Sequence, residues 1–108
     1  MTVIYKDIDY YVIRYRNKGD QFANALAYIE CWYHQSQVGV IRFWADTDPH
    51  DSYTQSNMIN LNFGISRFND VVSLLRYEKP LLLVFDSTSK IGGIDTKTVE
   101  PIGEQEGV

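Results

Sequence analysis

The stretch that decides the fold is ALAYIECWYHQSQVGVIRFWAD, from Ala25 to Asp46, in which two apolar segments flank a polar turn. Side chains in a strand alternate between two faces, and both segments alternate in this way. We therefore predict a β-hairpin with strands Ala25–His34 and Val38–Asp46, reversing through residues 35–37.

Mirror-image pairing about that turn separates the hairpin into two faces. One face is nearly all apolar and places Cys31 opposite Ile41. The other places Glu30 opposite Arg42, an opposite-charge pair of the kind that stabilises a sheet. A shift of one residue would scatter both faces, which favours this register. The second face has the aromatic and cationic composition of a protein interface, and its candidate interface residues are Tyr28, Trp32, Arg42 and Trp44.

Further strands and one helix are predicted on either side of the hairpin. Ser66 is placed to cap an amphipathic helix that runs to Tyr77, and Pro80 requires the helix to stop before Lys79. The apolar run Leu81–Phe85 predicts a central strand covered on both faces. The other predicted strands are Tyr10–Arg16, Met58–Phe63 and Ile91–Val99.

These elements define an α+β fold within a single domain, residues 1–108. We expect a curled, mainly antiparallel sheet of five or six strands, barrel-like if it closes, with the helix between the fourth and fifth strands. One helix cannot cover every apolar face of such a sheet. The aromatic hairpin face must therefore bind a partner, most simply a second copy of the chain, or be buried inside a closed barrel; both alternatives stay open.

Composition narrows the class of protein. The 108 residues are 44% hydrophobic and 14% aromatic, which excludes a disordered chain. The single cysteine, Cys31, excludes an internal disulfide framework, and no apolar run approaches the length of a membrane helix. We expect a cytoplasmic protein without a membrane segment. The net charge of −4, with no cluster of basic residues, makes nucleic acid an unlikely partner.

The C-terminal half carries two charged motifs. The first is L-R-x-E-K-P, residues 75–80, and the second is T-x-x-x-E-P-x-G-E-x-E, residues 96–106. In these motifs the segment from Ile59 onward resembles an uncharacterised family of small bacterial proteins, similar to those encoded by mobile (integron) gene cassettes. The resemblance implies a bacterial accessory gene and implies no activity.

The same two motifs allow two interpretations. Cations at the C-terminal end of the helix and carboxylates on the tail can form a structural clasp, in which exposed ion pairs organise the chain end. The alternative is a polar pocket that serves a small-molecule-binding protein or a hydrolytic enzyme. Its candidate residues are Asn60, Asn62, Arg76, Lys79, Glu100 and Glu104.

The sequence contains no complete catalytic or metal-binding motif. The loop residues Asp46, Asp48, His50 and Asp51 lack the glycine and distal glutamate of a calcium-binding loop, so we predict a solvated loop and no metal site. Cys31 and His34 point to opposite faces of a strand, which excludes a Cys–His pair. We therefore predict no catalytic residue and no cofactor. The sequence favours a non-catalytic, homo-oligomeric interaction or binding module, with a dimer as the favoured state.

Overall fold

A computed structural model describes residues 2–18 and 25–98. Within these ranges the chain forms eight strands, one 3₁₀ turn and one α-helix. In chain order they are β1 (Val3–Ile8), β2 (Tyr10–Tyr15), β3 (Ala27–Tyr33), β4 (Ser36–Trp44), β5 (Tyr53–Gln55), β6 (Met58–Gly64), the 3₁₀ turn (Ile65–Arg67), α1 (Phe68–Tyr77), β7 (Leu81–Asp86) and β8 (Ile91–Thr96).

The strands form two sheets instead of the single sheet expected from the sequence. One sheet has the order β1, β7, β8, and the other has the order β2, β3, β4, β6, β5. All neighbouring strands are antiparallel except β4 and β6, which run parallel. Both sheets are open, so the barrel-like shape is wrong, whereas the α+β class with mainly antiparallel strands is confirmed.

The helix α1 lies between β6 and β7, not between a fourth and a fifth strand. The difference arises because β1 and β5 were not predicted. Lys6 and Asp7 interrupt the apolar pattern of β1, and β5 has only three residues inside a polar stretch. At ten residues α1 is too short to cross a membrane, and no other helix in the described ranges is long and apolar enough to do so.

The start of the helical segment is held by an aspartate from another part of the chain. The backbone N–H and the hydroxyl of Ser66 both donate hydrogen bonds to Oδ1 of Asp46, at 3.2 and 3.1 Å. A Cβ atom at position 64 would collide with the same carboxylate, so any larger residue there would displace Asp46 from Ser66. The predicted capping role of Ser66 is wrong, because the 3₁₀ turn delays α1 until Phe68 and Ser66 acts as a donor.

The core lies between the two sheets. Odd-numbered side chains of β3, β4 and β6 form what we call the core face of the five-stranded sheet, which is covered by the three-stranded sheet and α1. Close approach of the sheets depends on Gly39, since a Cβ atom there would come within 2.5 Å of Leu83 Cδ1. The fully buried members of the core face are Ala27, Ile29, Cys31, Ile41, Phe43, Ile59 and Leu61.

The strand β7 is central in its sheet, as the apolar run predicted, but it is not covered equally on both faces. Leu81, Leu83 and Phe85 are buried in the core. Leu82 and Val84 on the opposite face are only half-buried. The single helix packs against the same core, through Val71 and Leu75, and so gives β7 no separate second cover.

The hairpin of β3 and β4 forms as predicted, but its register differs by two residues. Ile29 lies opposite Ile41 instead of Phe43, and Glu30 lies opposite Val40 instead of Arg42. The turn consists of His34 and Gln35 alone, both with positive φ (50° and 68°), so the strands approach the turn more closely than expected. From Ala27 to Cys31 this two-residue shift leaves each side chain on its predicted face, because the period of a strand is two. A bulge between Cys31 and Trp32 changes the remaining register by three residues, and Val38, predicted on the second face, packs against the core.

Candidate binding face

The even-numbered side chains of β3 and β6, and those of β4 from Val40 onward, form the second surface of the five-stranded sheet, which we call the outer face. Tyr28 and Val40 on this face are buried, yet both stand outside the hydrophobic core cluster. Within the described residues this face is covered by its own side chains and by the loop around His50, not by a second sheet or a helix. The outer face is therefore a surface of the sheet that no described helix or second sheet covers.

Arg42 is fixed at the centre of the outer face. Its Nη1 donates to Oδ1 of Asn60 at 2.9 Å and to the hydroxyl of Tyr53 at 3.4 Å. Asn60 is only 3% exposed, so the residues around it restrict its side chain and keep its amide in place for this contact. Among the residues that the structure describes, no carboxylate lies within ion-pair distance of Arg42. A half-buried guanidinium is thus held by neutral acceptors, and no carboxylate of the described residues matches its charge.

Trp44 is fixed beside Arg42 by a hydrogen bond and a stacked ring. Its indole N–H donates to Oδ1 of Asn62 at 2.9 Å. The imidazole of His50 stacks on the indole with ring centroids 3.7 Å apart, and His50 Nε2 lies 3.2 Å from Oδ2 of Asp48. The polar loop that follows β4 therefore contributes side chains to the outer face.

Asn62 fastens that loop to β6. Its side-chain NH₂ donates to the carbonyl of Asp51 at 2.7 Å, and its backbone N–H donates to the hydroxyl of Ser52 at 3.0 Å. The loop segment before β5 is consequently bonded to the sheet, while residues 45–51 are exposed to solvent as predicted.

The other side of the outer face, near β2, is more open. Arg14 and Glu30 form an ion pair at 3.4 Å across β2 and β3, which takes the place of the predicted pair between Glu30 and Arg42. The indole N–H of Trp32 is buried and has no hydrogen-bond partner in the described part of the chain. The Arg16 guanidinium lies 5.9 Å from the ring centroid of Tyr28, within cation–π distance.

The structure brings together the hairpin residues and only part of the alternative pocket. Tyr28, Trp32, Arg42 and Trp44 share the outer face, and the parallel pairing of β4 with β6 adds Asn60 and Asn62 to it. Arg76 lies in the last turn of α1 and Lys79 lies just beyond it, whereas α1 packs on the core face, on the opposite side of the sheet. Glu100 and Glu104 lie outside the described residues.

The sequence did not predict that two further residues belong to the outer face. Tyr53 and His50 lie in a stretch that looked like one long polar loop. Its last part, YTQSNMIN, forms the hairpin of β5 and β6, with Ser56 and Asn57 at positive φ in a two-residue turn. An asparagine in a short segment between alternating residues is a hairpin signal, and it could have located Tyr53.

The loop aspartates and the cysteine are engaged elsewhere. Asp46 binds Ser66, Asp48 contacts His50, and the described residues contain no group of three or more metal-ligating side chains. Cys31 lies in the core, where burial raises the pKa of its thiol to about 12. His34 lies in the hairpin turn, where its backbone N–H donates to Asp9. Cys31 therefore supplies no accessible thiolate.

A small cleft lies between β1 and the β5–β6 hairpin. Its volume is about 160 Å³, below the several hundred Å³ typical of small-molecule sites. At its rim Lys6 Nζ donates to Oδ1 of Asn57 at 3.2 Å. This cleft is separate from the outer face and contains neither its aromatic residues nor Arg42.

Fold and face together define a class: an α+β protein of two open sheets whose larger sheet presents an aromatic, arginine-bearing surface. Comparison of the chain with protein-family models, with curated proteins and with solved structures found no match.

Proposed function

We propose that this chain is a non-catalytic interaction module that binds a protein partner through the outer face and works as a homo-oligomer, most simply a dimer. The observation that carries the proposal is Arg42, a half-buried guanidinium without a carboxylate partner among the described residues. A carboxylate from a bound protein would supply the missing charge.

The fixed side chains of the outer face support binding. Arg42 and Trp44 are each held by an asparagine on β6, so little side-chain freedom is left to lose when a partner binds. Arginine, tryptophan and tyrosine are also the residues most often found at the energetic centres of protein interfaces. The small cleft lies away from the outer face, which favours a protein partner there over a small molecule, because a small molecule needs a concave site.

The electrostatics of the face suggest the chemistry of the partner. Arg14 is already paired with Glu30, whereas the acceptors for Arg42 among the described residues are neutral, Asn60 and Tyr53. The partner is therefore a protein segment that places an aspartate or glutamate over Arg42 and apolar side chains beside Trp44.

The alternative, a small-molecule or hydrolytic pocket, requires Asn60 and Asn62 to act together with groups near the end of α1. No contact among the described residues favours it. From the resemblance of the C-terminal half, we further propose that the module is encoded by a bacterial accessory gene and acts in the cytoplasm.

Panning a displayed library of random peptides on the purified chain tests the proposed face. We expect enriched peptides that combine an acidic residue with an aromatic one, because peptides converge on the binding centres of a surface. Arg42→Gln and Trp44→Ala should each weaken the binding of a synthesised enriched peptide by about tenfold or more, as measured by calorimetry. Tyr77→Ala, on the exposed end of α1, is the matched control and should bind as the wild type does. Enriched peptides that bind all three variants equally would refute the outer face as the binding surface.

A further inference from the structure

The strand β2 forms an open edge of the five-stranded sheet. Its six residues pair with β3 on one side, and no described strand pairs with the other side. The backbone N–H of Arg16 donates to the carbonyl of Leu26, in line with the register of β2 and β3. In an antiparallel ladder, alternate residues bond to the same neighbour. The even residues of β2 therefore bond to β3, and Tyr11, Ile13 and Tyr15 direct their N–H and C=O groups outward.

The side chains of this edge are unusually apolar for an exposed strand. Tyr10 is 72% exposed and Tyr15 is 63% exposed, and Val12 and Ile13 are both more than one-third exposed. Proteins usually protect an open edge with proline, a bulge, several charges or a very short strand. The edge strand β5 has three residues and β8 contains two adjacent glycines, but β2 has only Arg14.

We propose that β2 pairs with β2 of a second copy, antiparallel about a twofold axis at Ile13, so that the two five-stranded sheets become one continuous sheet. The inference rests on the proposed function in one respect, since it names the second copy that forms the homo-oligomer. It uses backbone atoms of the edge and not the side chains of the outer face, so the two can be tested separately.

The edge is complementary to itself in this register. Ile13 lies opposite the second copy's Ile13, and Tyr11 lies opposite the second copy's Tyr15. Each of these pairs exchanges two backbone hydrogen bonds, so every outward N–H and C=O of β2 is satisfied. A perpendicular twofold axis keeps like faces together, which places Val12 beside the second copy's Arg14.

Charge does not oppose this arrangement. The two Arg14 side chains come near the axis, but each is already paired with Glu30 of its own chain, at 3.4 Å. A twofold contact is also the simplest closed symmetry, and it leaves neither copy of β2 open. The pairing joins the two outer faces into one surface with two copies of Arg42, which a partner with two binding segments could engage at once.

Light scattering on a dilution series, with residue-resolved amide exchange, tests this pairing. We expect the wild type at twice the mass of one chain, with the amides of Tyr11, Ile13 and Tyr15 losing protection as the protein is diluted. The amides of Val12 and Arg14 bond to β3 and should stay protected throughout.

Two variants at Ile13 identify the edge. Ile13→Pro removes an outward N–H that β3 does not use and fixes φ at a position on an edge strand, where proline is tolerated. Ile13→Lys adds a charge at the axis, and both variants should give a folded monomer with unchanged circular dichroism. Ile91→Lys on β8 is the matched control and should remain a dimer. A wild type that stays monomeric, or a dimer that survives both Ile13 variants, would overturn the inference. An edge dimer that persists while the enriched peptides bind Arg42→Gln and Trp44→Ala as tightly as the wild type would refute only the proposed function.

Discussion

The two faces of the five-stranded sheet come from alternate residues of the same strands, yet different forces hold them. The buried side chains of the core face are all apolar and are held by non-directional packing. On the outer face, Arg42 and Trp44 are positioned by directed hydrogen bonds to Asn60 and Asn62. The core face therefore depends only on the hydrophobic pattern along each strand. The arrangement of polar side chains on the outer face also depends on which strands become neighbours.

The largest expected effect is a loss of stability, and it should differ between two adjacent residues that lie on opposite faces of the sheet. Phe43 is fully buried and contacts the rings of Phe63 and Phe68, so Phe43→Ala should lower the free energy of unfolding by about 3–5 kcal/mol. Trp44 is half-buried on the outer face, and Trp44→Ala should cost about 2 kcal/mol or less. Urea denaturation measures both. Equal losses would mean that Trp44 serves stability rather than binding.

The second effect uses alkaline pH to probe the core face. Burial raises the pKa of Cys31 from 9.0 to about 12, so between these values the unfolded chain releases a proton that the folded chain keeps. This contribution to stability is complete below pH 9 and is lost as the pH rises, by about 1.4 kcal/mol per unit. Denaturation at pH 8 and pH 11 should show a smaller loss for Cys31→Ala than for the wild type. Parallel losses would place the thiol in contact with water.

A third effect, of intermediate size, tests the hydrogen bonding of the outer face. Asn60→Ala leaves the Nη1 group of Arg42 with only the longer contact to Tyr53 and should cost about 1.5–3 kcal/mol. Gln55→Ala, on the exposed strand β5, is the control and should stay within about 0.5 kcal/mol of the wild type. If thermal melts cannot tell the two variants apart, Asn60 does not hold Arg42.

The smallest effect concerns the ion pair at the open side of the outer face. The Arg14 side chain is 45% exposed and Glu30 is 26% exposed, so solvent and salt screen the pair. A double-mutant cycle with Arg14→Ala and Glu30→Ala should give a coupling of about 0–1 kcal/mol that vanishes at high salt. A larger, salt-insensitive coupling would place the pair in a drier environment than the outer face provides.

The two-residue period of a β-strand explains why the sequence could predict which face each side chain occupies. It assigned Cys31 and Ile41 to the core and Arg42 and Trp44 to the other face, and both assignments hold although the register was wrong by two residues. The register was missed because His34 and Gln35 adopt positive φ without the glycine or asparagine that usually marks such a turn.

The pairing of strands that are distant in sequence could not be predicted. Nothing in the local pattern of β6 indicates that it lies parallel to β4, and this pairing alone brings Asn60 to Arg42 and Asn62 to Trp44. The partner of Glu30 was missed for a different reason. The register shift places Val40 opposite Glu30 instead of Arg42, and the ion pair forms with Arg14 of β2, on the other side of β3.

The pairing of β1 with β7 has a consequence for the order in which the protein can be assembled. Val3 lies opposite Asp86, so the first strand has no partner in its sheet until the seventh has been synthesised. The β3–β4 hairpin joins residues close in the chain and can form early, whereas the sheet that covers its apolar face closes only when most of the chain has left the ribosome. Until then the growing chain exposes that face, and a chaperone or a slow rate of synthesis would matter most in this interval.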